Sequence, residues 1–140
     1  MIPTDGSSLS SDAVDKTLAF AKDAGAKVTV LMATEPFHIF AISSDQIAAT
    51  RDVYEREALQ HAQRHLAAAE QKAKALGVSC DTLVVENAHP YEAIIATAAE
   101  KGCDLISMAS HGRRGLSAVV LGSETLKVLT HSKIPVLVYR

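Results

Sequence analysis

Apolar positions along the chain fall into two kinds of run, short β-rich runs and longer runs with a helical period. Five short runs predict strands: MIPT, KVTVLMAT, SCDTLVVE, DLISMA and VLVYR. Four longer runs between them predict helices. Alternating strands and helices are typical of βαβ units, in which helices cover both faces of a parallel sheet. We therefore predict an α/β fold with a doubly wound, five-stranded parallel sheet, forming one domain over residues 1–140.

The helices carry recognisable faces and ends. In the first, SSDAVDKTLAFAKDAG, Gly25 is placed to end the helix in a left-handed conformation. Its predicted buried stripe is Ala13, Val14, Thr17, Leu18 and Ala21. The longest helix starts where Ser43 and Gln46 have capping-box spacing. Its predicted buried stripe is Tyr54, Ala58, Ala62, Leu66, Ala69, Ala73 and Leu76.

The net charge and the aromatic content indicate whether the protein binds nucleic acid. Fourteen basic and sixteen acidic residues give a net charge of −2, and aromatic residues make up only 4% of the chain. Proteins that bind nucleic acid usually present a basic face, and many add aromatic platforms on which bases stack. We therefore expect no nucleic-acid partner.

The cysteines and the hydropathy indicate the compartment. Cys80 and Cys103 lie in apolar runs without metal-ligand spacing, so we interpret both as small core residues in a reducing, cytoplasmic environment. No apolar run approaches the roughly 20 residues that a membrane crossing needs, so we expect no membrane partner and no leader segment. The short first strand leaves open a natural start upstream of Met1.

A doubly wound sheet binds ligands where its winding reverses, at the carboxyl ends of the two strands that flank the reversal. With strand order 3-2-1-4-5, these are the first and fourth strands. The turn PTDGS then faces the loop ASHGRRG, although the two are far apart in sequence. We expect Asp5 to lie across from this glycine loop.

The loop from Ser110 to Gly122 is longer than a strand-to-helix connection usually needs. Glycines at 112 and 115 permit close backbone approach, and Gly122-Ser123 opens a helix whose free N–H groups favour an anion. Arg113 and Arg114 can add to this field. The loop lacks the P-loop and dinucleotide patterns, but its composition predicts a phosphate cradle.

Asp5 would repel phosphate groups, so its place is at the other end of the ligand. A carboxylate there can accept hydrogen bonds from ribose hydroxyls or a base amino group. Met32 and Ala33, at the end of the second strand, can pack against the base. The residues thus predict a nucleoside phosphate that extends from Asp5 toward Ser123.

In these features the whole chain resembles the universal stress protein family, from IPTDGS at the start to PVLVYR at the end. Nucleotide-binding members carry a glycine, two residues, a glycine, nine residues, and a glycine followed by serine or threonine. Here Gly112 and Gly122-Ser123 match that spacing, whereas Ala109 replaces the first glycine. If that position required a positive φ, the alanine would cost about 1–2 kcal/mol.

The resemblance implies an ATP-binding module that acts in stress resistance, usually as a homodimer and with at most weak hydrolysis. It implies that Asp5 lies at the adenine end, Ala33 at the base, and Gly112, Gly122 and Ser123 at the phosphates. Together with their neighbours, the candidate nucleotide-binding residues are Pro3, Thr4, Asp5, Ala33, Ala109, Ser110, His111, Gly112, Arg113, Arg114, Gly115, Gly122, Ser123, Glu124 and Thr125.

Several residues admit a simpler interpretation. Asp5 could have a structural role alone, as a turn-forming residue. Arg113 and Arg114 could lie on a solvent-exposed face without binding a ligand. His111 could be an acid or base, although ordering of the loop is the simpler role. Glu57, His61 and His65 share a helix face and invite a metal interpretation, but without a further ligand cluster we interpret them as a solvated flank. The segment EPFHIF could serve as a lid or as an interface.

Three functions remain open at this stage. The first is an ATP-binding regulatory or protective module, and the second is a slow Mg²⁺-dependent ATP hydrolase, for which Glu124 is the nearest acid to the loop. The third is a nucleotide-free interaction module. The last strand is apolar and lies at a predicted sheet edge, so we expect a homodimer that covers it.

Overall fold

A computed structural model describes residues 1–37, 44–112 and 121–140, with the backbone alone given for residues 44–49. Its strands are β1 (Ile2–Pro3), β2 (Val28–Thr34), β3 (Cys80–Glu86), β4 (Ile106–Ala109) and β5 (Val136–Tyr139). Its helices are α1 (Ser8–Ala24), α2 (Ser44–Leu76), α3 (Pro90–Glu100) and α4 (Ser123–His131). The predicted α/β alternation is confirmed.

All strand pairs in the described residues are parallel. They form a three-stranded sheet in the order β1-β2-β3 and a two-stranded sheet in the order β4-β5. Met1 connects the two sheets, because its amino group donates to Leu105 O and its carbonyl accepts from Ser107 N, both at 2.9 Å. Two parts of the predicted order 3-2-1-4-5 are therefore confirmed, namely 3-2-1 and 4-5. The hydrogen bonds of Met1 place β1 beside β4.

Helices cover both faces of the strands. Val30 and Leu31 are adjacent on β2 and fully buried, yet they belong to different core clusters, because successive strand residues point to opposite faces. The cluster around Val30 includes Leu18 of α1 and residues of α2. The cluster around Leu31 includes Ile94 of α3 and residues of α4. Because the core covers both faces of the sheet, a ligand site can form at the ends of the strands.

The helix ends follow from local chemistry. Ser7 caps α1, since its hydroxyl accepts from Ser10 N at 3.2 Å. Gly25 ends α1 with φ of 63°, the left-handed conformation that the sequence predicted. The five residues predicted for the buried face of α1 are all buried. The capping-box position Ser43 lies outside the described residues.

The buried stripe of α2 is shorter than predicted. Ala62, Leu66, Ala69 and Ala73 are buried, but Ala58 and Leu76 are only partly buried and Tyr54 is 40% exposed. The helix has 33 residues and is about 50 Å long, whereas a seven-residue strand spans about 23 Å. The first half of α2 therefore extends beyond the sheet, and Tyr54 contacts Phe37 there at 5.5 Å between ring centroids.

Both cysteines are free thiols at the margins of the core rather than fully within it. Burial raises the pKa of the Cys80 thiol, which keeps it in its neutral form. In the described ranges, no helix combines the length and the apolar character that a bilayer crossing demands.

Candidate functional site

The turn after β1 is held by its own polar groups. Thr4 N donates to Leu31 O at 2.8 Å, which continues the pairing of β1 with β2. Asp5 Oδ1 accepts from Ser7 N at 3.0 Å, and Gly6 adopts a φ of 78°. The carboxylate therefore supports the turn with one oxygen, while Asp5 also makes a further interaction.

Asp5 and the glycine loop come together in the structure. A Cβ placed on Gly112 would lie 2.5 Å from Asp5 Oδ2 and 3.4 Å from Asp5 Cγ. The carboxylate thus lies directly against the backbone of Gly112. A side chain at position 112 would require the Asp5 carboxylate to move, so this close approach favours a glycine.

The end of β4 is tied to its surroundings by buried hydrogen bonds. Ser110 N donates to Tyr139 O at 2.7 Å, and Thr125 Oγ1 donates to Ala109 O at 2.9 Å. Ser110 and Thr125 are almost fully buried. Ala109 is a strand residue paired with Tyr139, and an extended backbone suits any L-residue. The alanine in place of the family's glycine therefore carries no strain from a left-handed backbone.

Gly122 is the N-cap residue of α4 and packs against the end of β4. Its N–H donates to Ser110 O at 2.8 Å. A Cβ there would lie 3.3 Å from both Ser110 O and His111 Cα, tighter than most side chains tolerate. Ser123 follows as the first residue of α4 and is exposed. The helix start therefore presents N–H groups and a hydroxyl that can bind an anion.

Glu124 points away from the role of a metal ligand in the loop. Its Oε2 accepts from Tyr91 N at 2.9 Å, in the first turn of α3, and its Oε1 accepts from Lys127 Nζ at 2.8 Å. The hydrogen bond to Glu124 raises the pKa of the Lys127 ammonium. Oε2 of Glu124 thus joins α4 to α3, whereas Oε1 is held by Lys127 within α4; its place next to Ser123 in the sequence did not indicate either contact.

His111 is hydrogen-bonded to its neighbour at the end of β4. Its Nδ1 and Ser110 Oγ share a hydrogen bond of 2.8 Å. Its Nε2 is buried and finds no hydrogen-bond partner in the part of the chain described. A buried ring nitrogen of this kind is a position where a ligand group can supply the missing hydrogen bond.

Some of the remaining candidate residues lie at strand ends, and the others lie outside the residues that the structure describes. Pro3 is buried in register with Leu31, and Ala33 lies near the end of β2 in register with Val85. Arg113, Arg114 and Gly115 lie outside the described residues, as do the last three residues of EPFHIF. Across residues 1–37, 44–112 and 121–140, no group of three or more His, Cys, Asp or Glu side chains is arranged to hold a metal ion.

The interpretation of His65 as part of a solvated flank is wrong. The side chain is half-buried, and a Cβ on Gly6 would lie 2.7 Å from its Cδ2 and Nε2 atoms. His65 of α2 therefore packs against the turn that carries Asp5. Helical periodicity could not reveal this contact, because it depends on how α2 crosses the end of β1.

Comparison with known proteins identifies the family. The family model described as the universal stress protein family matches residues 1–140. The chain belongs to the universal stress protein family.

Other universal stress proteins are similar over their whole length. Universal stress protein YxiE of Bacillus subtilis is 31% identical over 144 residues, which cover 100% of this chain and 97% of that protein. The structure of MJ0577 of Methanocaldococcus jannaschii has a TM-score of 0.83 at 26% identity, covering 98% of this chain and 91% of that one. A universal stress protein in complex with cAMP has a TM-score of 0.69 at 26% identity, covering 99% and 94%.

Proposed function

We propose that this universal stress protein binds ATP at the edge where Asp5, the end of β4 and the start of α4 meet, and that it acts as a regulatory or protective module in a stress response. The observation that carries the proposal is the contact of Asp5 with Gly112, beside a helix start at Gly122 and Ser123. Two segments distant in sequence supply the hydrogen-bonding groups for the two ends of one nucleotide.

The phosphates are assigned to the start of α4. Gly122 fits closely against Ser110 and His111, which leaves the N–H groups of the first helical turn and the Ser123 hydroxyl to bind a phosphate. The helix dipole favours negative charge at this end. The buried His111 Nε2 adds a donor or acceptor nearby.

The nucleoside is assigned to the side of Asp5. Since Oδ2 lies against Gly112, a phosphate at that glycine would be repelled by the carboxylate. We therefore assign Gly112 to the sugar and Gly122 and Ser123 to the phosphates. Ala33, near the end of the neighbouring strand, would contact the base.

The relatives support an adenine nucleotide. One universal stress protein of similar structure was determined in complex with cAMP, which contains the same base and ribose as ATP. A few charge-assisted hydrogen bonds of about 1.5–3 kcal/mol each, offset by the costs of association, correspond to an affinity of order micromolar.

The double variant Gly122→Val with Ser123→Ala is expected to abolish detectable ATP binding. The valine side chain would collide with backbone atoms of Ser110 and His111, and the alanine removes the hydroxyl donor. Isothermal titration calorimetry of parent and variant measures the effect. Thr130→Ala, an exposed change further along α4, is the control and should bind as the parent does.

Equal ATP affinity in the double variant and the parent would show that the helix start is not the phosphate site. Native mass spectrometry of the purified protein provides an independent measurement. Bound adenine nucleotide supports the proposal, whereas protein that neither carries nor takes up nucleotide favours the nucleotide-free interaction module.

Hydrolysis of ATP is the second candidate, and the placement of Glu124 argues against it. A hydrolase needs a residue to hold Mg²⁺ and one to position water, yet both oxygens of Glu124 are already hydrogen-bonded to Tyr91 and Lys127. We expect single-turnover assays with labelled ATP and Mg²⁺ to give a rate no faster than buffer. A rate clearly above buffer would make the protein an enzyme.

We further propose a cytoplasmic homodimer. The two free thiols are consistent with a reducing compartment. Among the described strands, β5 pairs only with β4, which leaves its other edge to a second copy of the chain. The exposed Leu126 and Leu129 of α4 add apolar surface.

A further inference from the structure

Two histidines of α2 direct their ring nitrogens at each other. His61 and His65 are separated by one helical turn, and their Nε2 atoms are 3.2 Å apart. The ring centroids are 4.5 Å apart, so the rings converge toward these nitrogen atoms. Both side chains are half-buried, which restricts the directions in which the rings can point.

We propose that His61 and His65 form a binding site for a divalent transition-metal ion such as Zn²⁺. The proposal goes beyond the nucleotide function and does not depend on it. Imidazole nitrogen is a preferred ligand of zinc, copper and nickel.

The distance between the nitrogen atoms matches two bonds to one metal ion. A Zn–N bond is about 2.0–2.1 Å, so two nitrogen ligands are about 3.3–3.4 Å apart at a tetrahedral angle and about 2.9 Å apart at a right angle. The observed 3.2 Å lies between these values. The same distance is at the long limit of an ordinary hydrogen bond, which makes a hydrogen-bonded pair the competing explanation.

One of the two ligands packs against the turn after β1. The His65 ring lies against Gly6, where any side chain would collide with it at 2.7 Å. A ligand whose rotation is restricted by a neighbouring turn loses less conformational entropy when it binds a metal. Gly6 therefore helps to organise the proposed site.

The surroundings leave room for water and carry little opposing charge. His65 lines a cavity of about 40 Å³ together with Thr4, Gly6 and Lys72, which is enough for a water molecule. The Lys72 ammonium would repel a metal ion, but it is paired with Asp15 at 2.6 Å. Since no third His, Cys, Asp or Glu side chain completes a metal-binding group within the described residues, water would fill the remaining positions around the metal.

Calorimetric titration of the nucleotide-free, full-length chain with ZnCl₂ tests the site. We expect one Zn²⁺ per chain in the parent, and an affinity at least tenfold lower in each of His61→Gln and His65→Gln. Glutamine preserves hydrogen bonding and helix formation but is a poor zinc ligand. His131→Gln, a change at an exposed histidine of α4, is the matched control and should retain the parent affinity.

Titration with MgCl₂ should give no comparable binding, because Mg²⁺ prefers oxygen ligands. Zn²⁺ should also raise the Tm of the parent but not that of the double variant His61→Gln with His65→Gln. Equal zinc affinity in the parent and both single variants would show a hydrogen-bonded pair only and overturn the proposal. Loss of binding in His131→Gln instead would place the metal elsewhere and overturn it as well.

Because all these measurements are made without nucleotide, they separate the two proposals. Failure of zinc binding leaves ATP binding untouched, and failure of ATP binding leaves the metal site untouched.

Discussion

Replacement of Asp5 with alanine is expected to weaken ATP binding by one to two orders of magnitude. A hydrogen bond to a charged group contributes about 1.5–3 kcal/mol, and a carboxylate that accepts from ribose hydroxyls would make at least one such bond. The position of Oδ2 against Gly112 places the charge beside the loop. Calorimetric titration with ATP measures the difference.

Asp5→Asn separates binding from turn formation. The amide oxygen can still accept from Ser7 N, as Oδ1 does in the parent, but the negative charge is lost. We expect the asparagine variant to bind ATP less tightly than the parent. Parent-like affinity in Asp5→Asn, together with weak binding in Asp5→Ala, would show that Asp5 only forms the turn.

Ser7→Ala is the matched control for folding effects in this turn. It removes the side-chain cap of α1, which typically costs about 1 kcal/mol of stability. Its ATP affinity should equal that of the parent. A loss of ATP affinity as large as that of Asp5→Ala would mean that the whole turn, rather than the carboxylate, determines binding.

Replacement of Leu31 with alanine is expected to lower the free energy of unfolding by about 2–5 kcal/mol, the usual range for a leucine lost from a packed core. Leu31 is fully buried on β2 and packs in the cluster formed with α3 and α4. The variant would leave a cavity at the centre of the sheet. Urea denaturation followed by circular dichroism measures the change.

Leu59→Ala is the control, because this leucine of α2 is 45% exposed. An exposed position of this kind usually changes stability by less than about 0.5 kcal/mol. If both variants lost equal stability, the two-sided core described for β2 would be wrong.

The spacing of the loop glycines correctly marks Gly112 and Gly122 as special positions, but it does not give the physical reason for glycine at each of them. Their spacing predicts a role for Gly112 and Gly122 in ligand binding, and backbone conformational freedom is one reason to expect glycine in such a loop. Among the residues that the structure describes, the positive-φ glycines are Gly6, Gly25, Gly77 and Gly102. Gly112 and Gly122 are explained by space instead, because Asp5 lies against one and the end of β4 against the other.

The backbone conformation also explains why alanine can replace glycine at position 109. The spacing alone left open whether the position needs a left-handed backbone. In the structure Ala109 is a strand residue paired with Tyr139, and the carbonyl oxygen of Ala109 accepts from the Thr125 hydroxyl. The difference from the family pattern therefore has no cost in backbone strain, and the proposed site keeps its geometry.

The strands, the helices and most of their end points can be predicted from local sequence patterns. Strand runs, the buried face of α1 and the glycine at its end follow from side-chain periodicity and backbone preference, which act over a few residues. The resemblance to universal stress proteins, which the match over residues 1–140 confirms, also came from short motifs and their order.

Which distant groups meet depends on how the elements pack in three dimensions. It placed Asp5 against Gly112, turned Glu124 toward α3, left Tyr54 beyond the sheet and packed His65 on Gly6. These contacts depend on helix length, crossing direction and strand position together. Periodicity reports which face of an element is buried, but it carries no information about the partner that buries it.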